Sequence, residues 1–474
     1  MQLLIKLGSR LAVLVIIYML LSIPNANFLA RNDLHTHKKP QPVPAVVPAI
    51  KASLKGLTTD SLRQLYDTLL SEVHKRLASI QSEMGDADSP ELAELHNRIG
   101  QLTFLAATGS RPALPVLEIL WQWQQYLKEQ SVFWSLHNET TRDLLVSRLH
   151  DINTLQAFLV INRQLEITIE EGVVRENNHL SSGQIQSGDF IIDDSSLEYP
   201  FLSISKIPVA LSPATGIALL GNDSNAFIAS LPAQGLHAIP ADQLFAKPAG
   251  RRMVLRWRSD LPGIIANPTL AHQAASYGYQ LSQTLALPYD YLMDPANYSA
   301  LFATEALAYF YEGRQITLFD FVAPTDSAMM LPLNRLGIHL HGQAVPAELF
   351  HQNTLQVVAL QLSGPQLKTR NLQLAAYRKA LLTLNDPSTR KIRWLLPWYR
   401  LVNFYDVVAT WTGLPPQLPV NMAPETALAY DHIRSQANKI LPQLTTRAEE
   451  FVRQNGYYPS FAELVLLAED ISGP

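Results

Sequence analysis

The spacing of apolar residues changes texture twice along the body of the chain. Between Leu57 and about Ile169 it follows a helical period. From Thr58 to Met84, Leu62, Leu65, Leu69, Val73 and Leu77 fall on one strip. Ser89-Pro90-Glu91 then supplies an N-cap followed by proline at the first helical position, which opens a second helix. VLEILWQWQQYLKEQ and ETTRDLLVSRLHDINTLQAFLVINRQL continue the pattern. Residues 57–175 are therefore expected to form antiparallel helices, as a bundle or long hairpin serving as a stalk. Trp121, Trp123 and Trp134 read as packing residues rather than a ligand site. No heptad is sustained, so a long parallel coiled coil is not expected.

Near residue 183 the period shortens. SGDFIIDD, TGIALLG, NAFIASL, GLHAIP and RRMVLRW have strand length and strand composition, separated by turn residues. PTLAHQAASYGYQLSQTL reads as a helix, and another begins near Phe302 with Ala306, Leu307 and Phe310 on its apolar face. ITLFDFVAP and RLGIHLHGQAVP read as further strands. Residues 180–360 are thus expected to form an α+β domain. Helices return over 365–474. In that region KIRWLLPWYRLVNFYDVVATWTGL, with Lys391, Arg393 and Arg400, suits either a membrane interface or packing against the α+β domain. SFAELVLLAEDI reads as a short amphipathic helix, and no repeat recurs along the chain.

The first 30 residues have a different logic. Lys6 and Arg10 precede LAVLVIIYMLLSI, and no acidic residue occurs before Asp33. This is the layout of a signal peptide or a membrane anchor. Pro24 fits a small-x-small cleavage site poorly, which favours a retained anchor over residues 1–30. The expectation is a single pass through the inner membrane, with the remaining chain on the extracytoplasmic side. Residues 31–56 read as a linker, its four prolines between 31 and 50 giving an extended spacer. His35 and His37 there read as solvated rather than metal-binding.

Composition narrows the chemistry. With 47% hydrophobic and 16% charged residues, the 474-residue chain can bury a large core. A net charge of −4, with both signs interspersed, gives no nucleic-acid signature. There is no cysteine, which excludes disulfides, thiolate metal sites and thiol catalysis.

The order of motifs over 183–355 resembles the permuted papain-like amidases, the NlpC-type cysteine hydrolases with a circularly permuted chain. Gly188-Asp189-Phe190-Ile191 matches the Gly-Asp that opens that family's first strand. SPATGIAL matches the histidine strand, with Ala214 at the histidine position before Thr215 and Gly216. Phe227-Ile228-Ala229-Ser230 matches the strand that supplies a polar third residue, with Ala229 at its position. GLHAIPADQLF, RRMVLRW, the alanine-rich helix and YDYLMD, which contains Tyr291, follow in the family's order, and Pro346-Ala347-Glu348-Leu349 echoes its closing motif. FATEAL then matches the start of the nucleophile helix, with Ala303 where the family has cysteine, followed by Thr304 and Glu305.

The resemblance implies a cleft with Asp189, Thr215, Gly216, Ser230, Tyr291, Thr304 and Glu305 near it, and no intact catalytic residue. A cysteine hydrolase needs a thiolate, an imidazole and a group to orient that imidazole. Alanine at 214, 229 and 303 provides none of them. The chain then reads as an envelope protein with a degenerate amidase-like domain. Its expected role is binding a cell-wall stem peptide or a lipid acyl group, or scaffolding. An active hydrolase or acyltransferase in a deliberately inactivated form is the alternative. A third reading makes the helices a protein-interaction platform. An open cleft around Ala214 and Ala303 favours the first two; one plugged by Phe302 or Phe227 favours the third.

Other residues offer little replacement. Ser299, Thr304 and Ser230 are hydroxyls with His237 and His272 nearest in sequence, but no nucleophile elbow accompanies them. Glu305 reads as a helix-capping carboxylate. Asp193-Asp194 reads as a turn former rather than an acid–base pair. His339-x-His341 with His351 lacks a carboxylate at ligand spacing, so no metal and no cofactor is expected.

Overall fold

The computed structural model describes residues 45–80, 86–134, 138–167, 185–194, 214–220, 225–231, 234–291, 298–312, 321–322, 345–346, 349–383, 394–412, 418 and 422–471. The N-terminal apolar run, His35, His37, His339 and His341 lie outside them. Among the described residues no helix is long and apolar enough to cross a membrane.

Among the described residues five helices come first: α1 (Val46–Ser53), α2 (Thr59–Ile80), α3 (Pro90–Thr108), α4 (Leu114–Gln130) and α5 (Glu139–Arg163). The strip on α2 buries Leu69, Val73 and Leu77 as the spacing requires. Ser89 caps α3 by accepting from the Leu92 N–H at 3.2 Å, with Pro90 inside the first turn. Helix α1 departs from the expected extended spacer. Its Pro48 falls in the first turn, where a missing N–H costs nothing. Val47 and Ile50 repay the ordering by burial against α3.

The strands are β1 (Glu166–Ile167), β2 (Phe190–Asp193), β3 (Ala214–Leu220), β4 (Asn225–Leu231), β5 (Gly235–Pro240), β6 (Arg251–Trp257), β7 (Phe321–Val322), β8 (Val345–Pro346) and β9 (Leu355–Ser363). Seven of them form one antiparallel sheet in the order β1-β9-β6-β2-β3-β4-β5. Between them lie α6 (Ala241–Ala246), α7 (Pro262–Ala266), α8 (Leu270–Thr284) and α9 (Ala303–Tyr311). The chain closes with α10 (Gly364–Leu382), α11 (Leu396–Thr412), α12 (Pro424–Asn455) and α13 (Phe461–Glu469). The described chain is thus α+β and mostly helical, with an antiparallel sheet.

Strand alternation divides the sheet into two packed faces. On the near face Phe190, Ile192, Ile217, Leu219, Ile228 and Leu255 join a core with α8, α9 and the N-terminal helices. On the far face Ile191, Ala218, Phe227, Ala229, Val254 and Val358 pack with Leu244 of α6. The first helices do not stand apart as a stalk. Gln125 of α4 donates to the Val357 carbonyl of β9 at 2.7 Å, and Arg251 of β6 donates to the Asn153 carbonyl of α5 at 2.7 Å. The sheet also crosses the expected boundaries, taking β1 from the helical stretch and running β9 to Ser363.

Candidate functional site

The resemblance places the chemistry where the start of α9 meets β3 and β4, and α9 does pack on those two strands. Ala303 is the first residue of α9, with Phe302 as its N-cap. A side chain there would sit in the field of unpaired backbone N–H groups. The seat is buried: Ala300, Leu301, Phe302 and Ala303 all lie in the core, Ala303 at 7% exposure. The Glu305 carboxylate accepts from the Phe302 N–H at 3.1 Å, which caps the helix as its spacing predicts. Thr304 is half-buried.

The segment before α9 is tied to the sheet through its backbone. Tyr289 and Leu301 form a parallel bridge, and Leu301 N–H donates to Pro288 at 3.1 Å. The Ser230 hydroxyl, fully buried on β4, donates to the Leu301 carbonyl at 2.5 Å. Ser230 therefore does adjoin the presumed nucleophile position, but as a clamp with its proton already committed. Tyr289 and Tyr291 pack beside it with ring centroids 5.0 Å apart. Burial raises the Tyr289 phenol pKa, and the carboxylates of Asp290 and Glu305 add to the rise. A buried Tyr289 thus stays protonated at any ordinary pH.

Ala229 is not brought to this seat. It lies on the far face, packed with Phe227 and Ile239, while α9 covers the near face. Its cross-strand partner His237 shares that far side and is exposed. Position 214 pairs with Asp193 and 215 with Ile192. In the alternation of β3, 214 falls with Ala218 of the far face and 215 with Ile217 of the near face.

Two residues of the family-like pattern have packing roles. Gly216 sits under the Phe227 ring and the Ile228 carbonyl; a Cβ there would lie 2.7 Å from the ring and 2.3 Å from the oxygen. Gly188 turns with φ +97°, and a Cβ on it would come within 2.4 Å of the Ala271 Cβ on α8. Asp189 is buried and ion-paired. Its carboxylate takes Arg256 in a two-pronged pair at 2.7 Å on each oxygen and accepts from the Gln186 N–H at 2.7 Å. Burial pushes that carboxyl upward against the opposing pull of Arg256.

The Ser187 hydroxyl and His272 Nδ1 lie 2.7 Å apart, a hydroxyl–imidazole contact not anticipated from the sequence. The other ring nitrogen lies 3.4 Å from the Ser276 hydroxyl, and among the described residues no carboxylate bonds the ring. Ser187 also accepts from the Leu220 N–H at 3.3 Å, which fits a structural pin at the end of β3. Among the described residues no group of three histidine or acidic side chains is arranged to hold a metal ion. Comparison of the chain with models of protein families, with characterised proteins and with solved structures finds no match.

Proposed function

We propose that this chain is a non-catalytic, membrane-tethered scaffold of the cell envelope, whose α+β domain keeps a permuted papain-like layout without its chemistry. The observation that carries this reading is the filled seat at the start of α9. Alanine occupies it, the three residues before it are buried like itself, and the Ser230 hydroxyl is spent on the Leu301 carbonyl. Hydrolysis through an acyl-enzyme needs a nucleophile with a base in reach, and neither is assembled there. The same packing argues against a stem peptide or acyl chain entering at residue 303.

Scaffolding is also supported by how the helical parts join the sheet. Helices α4 and α5 bond directly to β9 and β6. Asn162 of α5 exchanges two hydrogen bonds with the backbone of Tyr458, just before α13, at 2.6 and 3.2 Å. A body knitted in this way presents its outer helix faces as fixed surfaces. The anchor follows from Lys6, Arg10 and the apolar run Leu11–Ile23.

The test uses the absence of any other cysteine. In Ala303→Cys, the thiol is expected to alkylate with iodoacetamide at least tenfold more slowly than in Thr304→Cys, and the wild type to release no product from muropeptides or acyl esters. Fast alkylation of Ala303→Cys, or binding of a muropeptide that protects it, would overturn the scaffold reading in favour of an open cleft.

A further inference from the structure

Helix α11 carries an apolar face that the body of the protein does not cover. Trp398 is 66% exposed, Leu401 52%, Phe404 68% and Tyr405 47%, and Trp394 and Leu395 just before the helix are 64% and 54% exposed. Trp394, Trp398, Leu401 and Tyr405 recur at helical spacing, so they form one stripe, with Leu395 and Phe404 flanking it. Single exposed apolar residues need no explanation, but a contiguous set of six large ones marks a surface that binds something.

Residues of the opposite face engage the body. Leu396 is buried, Arg400 donates to Glu425 of α12 at 2.6 Å, and Asp406 accepts from the Leu418 N–H at 2.8 Å. Tyr399 donates to Asp431 of α12. Arg400 and Asp406 are the only charged residues in α11, and both turn toward the body. The outward face therefore carries no charge at all.

We infer that this face lies in the interfacial layer of a lipid bilayer, an inference that rests on the membrane-tethered reading above. Three observations select the bilayer over a protein partner. Tryptophan and tyrosine together, with leucine and phenylalanine between them, form the residue set that gathers where headgroups meet acyl chains. Arg390, Lys391 and Arg393 immediately precede the stripe in sequence, which suits an anionic headgroup layer. The apolar run Leu11–Ile23 would hold the body beside a bilayer, raising the local concentration of that surface for α11. The helix is not long and apolar enough to span, and Arg400 on its inner face is committed to α12, so it lies along the surface. The arrangement fixes the body's orientation by two contacts, the anchor and α11.

Single-cysteine mapping tests this without disturbing a native thiol, since the chain has none. The full chain is reconstituted into vesicles of phosphatidylethanolamine and phosphatidylglycerol. Environment-sensitive labels are placed, one at a time, at Trp398→Cys, Leu401→Cys, Ala78→Cys on α2 and Ile16→Cys in the apolar run. Labels at 398 and 401 are expected to shift to shorter wavelength and to be quenched by shallow doxyl lipids several-fold more than the label at 78. Quenching of 398 and 401 by aqueous iodide equal to that of 78 would overturn the proposal. So would lipid-independent protection, which means a protein surface, or label–label coupling at 401, which means a second copy. The label at 16 separates the two failures. If it is quenched by deep doxyl lipids while 401 is not, the anchor stands and the docking face is wrong. If neither is quenched, the membrane-tethered reading itself falls.

Discussion

The ammonium of Lys128, buried on α4, donates at 2.6 Å to the carbonyl of Phe350 and at 2.7 Å to that of Gln352. It also lies 5.5 Å from the Phe350 ring centroid. This one side chain fastens the N-terminal helices to the turn that leads into β9. Burial, helped by the charge of Arg258, lowers its pKa to about 7.

That depression fixes a pH dependence. Below pH 7 both folded and unfolded chains carry the proton, and the cost of burying the charge is fully present. Between about pH 7 and the ordinary lysine value the unfolded chain holds more protons, so stability rises with pH. The slope from this group is at most one proton, about 1.4 kcal/mol per pH unit. Chemical denaturation from pH 7 to 9 is expected to show the rise in wild type and its loss in Lys128→Met. An unchanged slope in the variant would mean that Lys128 titrates normally.

A second relationship was hidden in two pairs of letters. Asp193-Asp194 and Arg251-Arg252 lie on neighbouring antiparallel strands, with Asp193 opposite Arg252. Asp193 and Arg252 form an ion pair with no solvent exposure on either side chain, and Asp194 pairs with Arg370 at 3.2 Å. Arg252 also donates to Gln361 at 3.0 Å and to the Leu244 carbonyl at 2.8 Å. Arg252→Met strands a buried carboxylate and is expected to cost about 3–5 kcal/mol. The double variant Arg252→Met/Asp193→Leu should recover a good part of that loss in a denaturation cycle. A double-variant cost equal to the sum of the two single-variant costs would show that the pair is not coupled.

The same residues show why some of the fold was legible in sequence and some was not. The five runs read as strands from SGDFIIDD to RRMVLRW are β2 to β6, because β-branched residues bounded by turns leave few alternatives. Strand β9, which lies beside β6 and completes the sheet, was not anticipated. LQVVALQLS is apolar on both faces, a pattern shared by buried helices and buried strands, and it runs directly into the Gly364-Pro365 start of α10. Locally the Asp-Asp pair reads as a turn, because the arginine partner of Asp193 is 59 residues away. Helix α1 is hidden by a run of prolines, of which the one inside it, Pro48, is harmless in a first turn. At the candidate site, the capping role of Glu305 was readable from local spacing. The facing of Ala229 was not, since a shift of one residue turns a strand position to the other side of the sheet.

Gly188 offers a sharper test of the packing around the Gly-Asp motif. Replacing it by alanine demands a left-handed backbone with a side chain and a clash with the backbone of Ala271, whose oxygen would lie 2.8 Å from the new Cβ. The expected loss is at least about 2 kcal/mol, from backbone strain plus overpacking. Thermal or urea unfolding would read it directly. A neutral Gly188→Ala would mean that α8 does not approach β2 this closely.

His150 sets the acid side of the stability curve. It sits on α5 at 1% exposure, and among the described residues neither ring nitrogen has a hydrogen-bond partner. Burial lowers its pKa to about 4, with Arg251 pushing the same way and Asp151 opposing. Above the unfolded value of 6.5 both states are neutral, so His150 contributes no pH dependence. As pH falls from there toward 4, the unfolded chain takes up a proton that the folded chain refuses, and stability drops by up to about 1.4 kcal/mol per unit. Below 4 this group adds nothing further. His150→Leu removes both the titration and a buried unpaired ring, so it is expected to match or exceed wild-type stability at pH 7. Its advantage should widen steadily between pH 6.5 and 4.5. Denaturant midpoints measured at several pH values decide the matter: parallel curves for variant and wild type would mean that His150 is protonated in the folded state and has a partner there.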